Sequence, residues 1–290
     1  MAGILQILVG AVLQGSLYTL GAIGLSLSFG VLKILNLSHG DFIMVGGLLG
    51  FLALVRLGIN PFYSALIALV LGFLVGLLYY RLLIRRIIGR SARDMLIASV
   101  MITLGVSLAI EDLTSFLWGG GSTGIPFRLS DLSLGGVIFP VLRLTLLGIT
   151  LALTIGLHFF LSRTFIGRAI VAASMNRVGA IVVGINTETV AFLTFGLGIA
   201  LAAGSGVFYA TLYSIEPFMG LDLTLKYLAV IVIGGMGSLL GAMVGGFVIA
   251  AAESFTSYYA GAQWSPMIAF IILILALLIR PQGLIGGSES

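Results

Sequence analysis

Residues able to do chemistry are few in this chain and widely spaced. Cysteine is absent and only two histidines occur, His39 and His158, so disulfides and thiolate chemistry are excluded and a protein-built zinc site is not expected. Ser205 stands between Gly204 and Gly206 in an apolar run and is the one candidate for a membrane-embedded nucleophile. Ala203 occupies the first position of the Gly-x-Ser-Gly arrangement such a nucleophile would need, and neither histidine is placed to act as its base. Small residues packing one helix on another explain the stretch better. No Gly-x4-Gly-Lys-Ser/Thr run exists, so the chain has no P-loop with which to hydrolyse ATP. Glu111 and Asp112 are adjacent acids inside an apolar segment, and at a bilayer centre each would cost about 2.5–3.5 kcal/mol on insertion scales. Lying a turn or two before Trp118, they read as reaching the outer headgroup zone, with a pathway role or a buried pair as the alternative. His158, close to Arg163, and Glu253 also read as interfacial.

Two clusters interrupt the apolar runs. Between Val31 and Phe42 stand Asn36, Ser38, His39, Gly40 and Asp41, which predict a discontinuous helix near 32–47, an ordinary interhelical loop being the alternative. Gly234-Gly235-Met236-Gly237-Ser238 breaks the segment 227–252. Non-helical backbone at membrane depth persists only where protein buries it or it lines a wet cavity, so both breaks point to a substrate path. Asn36, Ser38, His39 and Gly40 would line it from one side, and Gly234, Gly235, Gly237 and Ser238 from the other, facing a shared cavity. Gly235 is expected to tolerate no side chain, whereas Gly72, in a plain helix, is expected to accept alanine.

The elements that must position these residues follow from composition. Of 290 residues 60% are hydrophobic and 8% charged, against about 25% charged in soluble domains, so most of the surface must meet lipid or protein. Glycine numbers 41, about twice its usual share of about 7%, as close helix packing in membranes requires. A crossing helix needs about 20 mostly apolar residues, and the candidates are 4–31, 42–56, 62–83, 95–118, 141–161, 190–213, 227–252 and 266–279. The expected fold is therefore all-α, a polytopic helical bundle of about eight segments forming one membrane domain over 1–290. The first segment is too long for a signal peptide and reads as a retained helix. Nucleic acid is not an expected partner, because the net charge of +4 sits in short loops.

Those loops orient the chain. Arg81, Arg85, Arg86, Arg90 and Arg93, then Arg163, Arg168 and Arg177, then Arg280 make nine of the fourteen basic residues. Their regions, 81–94, 162–189 and the tail, are placed in the cytoplasm, leaving 57–61, 119–140 and 214–226 outside, with a possible hairpin over Ile125–Leu132. Helix parity then fails unless 227–252 enters and returns to the same side. With that return, Tyr258, Tyr259 and Trp264 fall at the outer interface.

The joint 162–189 holds Gly167-Arg168-Ala169, Ala172-Ala173-Ser174-Met175-Asn176-Arg177 and Gly184-Ile185-Asn186, a pattern suited to a short helix lying along the membrane surface. Together with Asn36-x-x-His39-Gly40, the glycines 234–246 and Arg280-Pro281-Gln282-Gly283-Leu284, it resembles the shorter permease subunit of ABC importers for branched-chain amino acids over essentially the whole chain. That resemblance implies a coupling helix in 168–186 that docks on an ATPase subunit, with Arg168, Ala172, Ala173, Asn176, Gly184 and Ile185 as its contact residues. Relatives often carry acids or Gln-Asn where Met175 and Asn176 stand here, which removes a charge-based contact and leaves docking by shape. It further implies a second permease, cytoplasmic ATPases that hold the ATP and Mg, an extracytoplasmic solute-binding protein, and a prokaryotic plasma membrane. No cofactor is expected on this chain. Urea, short amides or other amino acids are the alternative substrates within the class, and a self-sufficient secondary carrier is the alternative mechanism, for which only Glu111 and Asp112 could couple an ion.

Overall fold

A computed structural model describes residues 2–134, 137–279 and 283–284. Its helices are α1 (Ala2–Leu32), α2 (His39–Leu57), α3 (Pro61–Leu82), α4 (Ala92–Trp118), α5 (Val141–Arg163), α6 (Phe165–Met175), α7 (Arg177–Val182), α8 (Thr187–Leu212), α9 (Gly220–Gly234), α10 (Leu239–Tyr259) and α11 (Ser265–Ile279). Among the described residues eight spans are long and apolar enough to cross a membrane, which makes this a multi-pass membrane protein of the all-α class. The seventh expected segment is divided, as its glycines require, into α9 and α10.

Local chemistry explains where helices start. Asn60 Oδ1 accepts from Phe62 N at 3.0 Å with Pro61 at the first helical position, and Ser238 Oγ accepts from Gly241 N at 2.9 Å. In the joint 162–189 the caps follow one another: Thr164 Oγ1 from Gly167 N, Asn176 Oδ1 from Gly179 N, and Asn186 Oδ1 from Glu188 N and Thr189 N. Each such cap contributes about 1 kcal/mol. They cut the surface segment into two short helices, α6 and α7, where one was expected.

Helices α1 and α8 are the most buried of the long spans, while α4, α5 and α11 lie outermost. Glycine sets the close approaches. Gly46 of α2 lies against the Ala203 carbonyl of α8, and Gly206 of α8 against the Ile43 carbonyl of α2. Gly72 and Gly76 press α3 onto Ala203, Ala200 and Gly196. Gly72 is therefore a packing residue and not the neutral control expected of it. Gly105 and Gly148 have open space around them and serve that purpose. Ser205 Oγ is spent on its own helix, donating to Ala202 O at 2.8 Å, which agrees with the packing reading of its neighbours.

Antiparallel contacts establish the path of the chain. Gly234 abuts Gly241, and Gly245 abuts the Val230 carbonyl, so α9 and α10 form a hairpin that enters and returns, as helix parity requires. Along α1, Gly15 meets Phe247 while Ser26 Oγ donates to Ser238 O at 3.1 Å, so α10 runs opposite to α1. Gln6 exchanges hydrogen bonds of 3.1 Å with the Ile138 backbone. This ties the start of α1 to a small hairpin, β1 (Leu132–Leu134) with β2 (Val137–Phe139), on the side away from the arginine loops. The hairpin expected over 125–132 is thus displaced along the chain, because Thr123 and Ile125 are drawn into backbone bonds with Ile215 and Ala210. Single cysteines should report this arrangement, since the chain has none of its own. Ser91→Cys should label only from the cytoplasmic side, and Ser122→Cys and Ser257→Cys only from outside. Cytoplasmic labelling at 257 would mean that α9 and α10 cross only once.

Candidate functional site

The first break is built from polar side chains turned inward. Helix α1 ends at Leu32, Lys33 takes φ +54°, and the chain runs without regular structure to a turn at Leu37 and Ser38. Asn36 Oδ1 accepts from Ser38 N at 3.2 Å and from Ser38 Oγ at 2.7 Å, and Ser38 Oγ lies 3.2 Å from the Tyr79 hydroxyl. Thr103 Oγ1 accepts from Leu37 N at 3.0 Å, while Thr224 Oγ1 donates to Leu37 O at 2.8 Å and accepts from Gly40 N at 2.7 Å. His39 Nε2 sits 2.9 Å from Gly21 O. Backbone groups without a regular partner are thereby satisfied inside the protein. Asn36, Ser38 and His39 are each at most 2% exposed, so their side chains hold the break in place.

Two helices start at the same depth. Gly24 touches both the His39 ring and Gly198, and Gly198 lies midway along α8. Helix α2 therefore begins halfway through the bundle. Helix α9 begins beside it, with Gly220 against Gly40 and the Asp41 carboxylate. Glu111 Oε1 accepts from Leu221 N at 3.4 Å. An acid at a helix N-terminus, where unpaired N–H groups carry partial positive charge, is stabilising by roughly 0.3–2 kcal/mol. Glu111 is accordingly buried against α9 while Asp112 is exposed, so the two acids do not share the interfacial position expected for them.

The second break lies elsewhere. Gly237 meets Gly30, two residues from the end of α1, and Ser238 meets Ser26. At about 100° per residue, Ser26 and Gly30 point roughly 120–160° round α1 from Gly24, which touches His39. The breaks thus occupy different faces and depths of α1 and do not face one cavity. Gly234, Gly235, Gly237 and Ser238 cluster at the arginine-rich end instead. Leu284 N donates to Ile233 O at 2.8 Å and Gly283 lies against Gly235, so the C-terminal motif closes the α9–α10 turn. Its Arg280, Pro281 and Gln282 lie outside the described residues. Gly237 and Ser238 share a cavity of about 620 Å³ with Arg168, Ala172, Met175 and His158. Of the remaining surface-helix candidates, Asn176 and Gly184 are exposed and Ile185 is half-buried. Ala173 is buried beside Leu27 and Val190, facing the bundle.

Sequence reasoning missed a cavity that holds a lysine and a buried acid. About 690 Å³ in volume, it lies between α1, the ends of α8 and α10, α9 and the start of α11, on the side away from the arginine loops. Gln6, Gln14, Tyr18, Tyr209, Tyr213, Lys226 and Glu253 supply its polar groups. Lys226 Nζ is 3.1 Å from Glu253 Oε1, and Tyr18 donates a short hydrogen bond to Glu253 Oε2. The signal available in sequence was the helical spacing of Gln14 and Tyr18, and one lysine and one acid flanking the broken segment 227–252 at its two ends. From this cavity the Tyr18, Tyr227 and His39 rings follow one another edge to face at 6.4 Å, leading to the start of α2.

Residues 7–277 match the sequence family described as the permease component of branched-chain amino acid transport systems. The chain belongs to that family. It is 31% identical to the high-affinity branched-chain amino acid transport system permease protein LivH of Escherichia coli K12, covering 98% of this chain and 96% of LivH. Identity to BraD of Pseudomonas aeruginosa, a permease protein of the same description, is 30% with the same coverage. Among solved structures, PsaBC from Streptococcus pneumoniae in complex with Fab aligns at a TM-score of 0.49 and 14% identity, over 94% of this chain and 91% of that one. Membership of a permease family, and not of an enzyme family, accords with a site made of helix ends and a charged cavity. In this permease the stretches Asn36–Gly40 and Gly235–Ser238 are the two helix breaks, and the joint 162–189 holds the surface pair α6 and α7.

Proposed function

We propose that this permease is one of two membrane subunits of an ATP-driven importer for leucine, isoleucine and valine in a prokaryotic plasma membrane. ATP and Mg would be bound by cytoplasmic ATPase partners, and substrate would arrive from an extracytoplasmic binding protein. The observation that carries this reading is near full-length similarity, at 30–31% identity, to two permeases named for branched-chain amino acid transport. The surface pair supports it. Met175, Val178, Ile181, Val182 and Val183 are 56–82% exposed at the arginine-rich end, and an apolar patch of that kind outside the membrane-crossing segments marks a contact with protein or membrane. The contact we assign to the ATPase is this patch with Arg168, Asn176 and Gly184. Movement of α6 would reach the α9–α10 turn through the cavity they share.

Co-expression with its partner subunits and ATP-dependent uptake into proteoliposomes test this reading. Leucine should be taken up, with isoleucine and valine competing and urea or acetamide inert. Val182→Asp should cut ATPase co-purification and uptake by at least about tenfold, as loss of a buried apolar anchor does, while membrane abundance is kept. Uptake of urea in place of leucine would refute the substrate, and full uptake by Val182→Asp would refute the docking surface.

A further inference from the structure

The cavity on the outer side contains a pair of opposite charges whose bonding capacity is not used up. Glu253 is 3% exposed. Its Oε2 accepts from Gln14 Nε2 at 3.2 Å and from the Tyr18 hydroxyl, whereas Oε1 has no hydrogen-bond donor. Lys226 Nζ lies 3.1 Å from Oε1, off the direction a hydrogen bond needs, and donates instead to the Tyr18 hydroxyl at 3.3 Å. An ammonium carries three donors, and the Lys226 side chain is 21% exposed. This pair borders a cavity of about 690 Å³, within the usual range of roughly 300–1,000 Å³ for small-ligand sites.

We propose that this cavity binds the charged head of an α-amino acid, its carboxylate on Lys226 and its ammonium on the Glu253 carboxylate. The assignment rests on the importer reading above and deepens it by locating where the substrate's termini are recognised. Net charge carries the argument. The pair sums to zero, so a zwitterion laid beside it makes four alternating charges and leaves none unmatched. A ligand with one charge would leave an uncompensated charge in a poorly solvated site, which is strongly unfavourable. Ile7, Gly10, Ala262 and Pro266 supply the apolar part of the lining for the side chain. Tyr18 ties both charges together and stands edge to face with Tyr227, placing the head group where the ring column toward His39 begins.

The test uses the assembled transporter in lipid nanodiscs with Ser254→Cys, which lines the cavity, as a reporter of occupancy. Leucine, leucinamide (ammonium only) and 4-methylpentanoate (carboxylate only) are compared as protectants against a methanethiosulfonate reagent. Leucine should protect at a concentration at least about tenfold below either analogue, the usual scale for a charge-assisted contact. Lys226→Met should weaken leucine by at least about tenfold and leave leucinamide as good or better, and Glu253→Gln should do the reverse, favouring 4-methylpentanoate. Equal weakening of all three protectants, or no change in any, would make the pair a helix tether and overturn the proposal. Should either variant fail to reach the membrane, the three-ligand comparison in Ser254→Cys alone decides, and equal or absent protection overturns it. Leucine uptake without protection defeats this site and spares the importer reading. Protection by a different zwitterionic amino acid, without leucine uptake, does the opposite.

Discussion

Gly235→Val is expected to abolish transport while leaving the protein in the membrane. Gly235 closes α9 at φ 110° and ψ 112°, a region open in practice to glycine alone and costing other residues of order 1–3 kcal/mol. A β-branched residue is the worst case, because its side chain is crowded against its own backbone. Gly283 lies directly against Gly235, and Leu284 N bonds to Ile233 O, so no room exists for the turn to relax outward. The turn sits at the end of the bundle, beside α6, where distortion alters coupling before it unfolds the core. Uptake should fall by more than about tenfold, corresponding to about 1.4 kcal/mol or more, with membrane abundance within about twofold. Gly105→Ala, with open space around it, should transport normally. Retention of uptake by Gly235→Val would show that the turn is not held in this conformation.

Gly206→Leu and Gly46→Leu should instead remove the folded protein. A Cβ at position 206 would enter the Ile43 carbonyl, and one at 46 the Ala203 carbonyl. Backbone atoms cannot swing aside as a side chain can, so α2 must move off α8. Overpacking of this sort costs about 1–3 kcal/mol or more. Membrane abundance of either variant should drop by at least about tenfold on this scale. The double variant should be hardly worse than the single ones, because both open the same crossing and their effects are not additive. Normal abundance with a normal melting temperature would refute the close α2–α8 contact.

Much of this protein was determined by sequence alone, because lipid imposes a demand that composition must meet. With 60% hydrophobic and 8% charged residues, no water-facing shell is possible, and runs of about 20 apolar residues had to become helices. Arginine placement and helix parity required 227–252 to return to the side it came from, and α9 and α10 do so. Polar residues at 36–41 and glycines at 234–238 marked both breaks for the same reason: neither composition continues an apolar helix. Tertiary structure decided what each break faces. Hydropathy sums residues along one dimension and is blind to the direction a residue points around its helix. Hence it could not show that His39 and Ser238 lie on different sides of α1, or that the partner of the α2 start is Gly220 and Thr224, capped by Glu111. The same limit hid the charged cavity. Gln14 and Glu253 are 239 positions apart, and each looks like a stray polar residue until the glycine-lined contacts of α1 with α10, Gly15 and Gly246 among them, draw the two helices close enough for their side chains to meet.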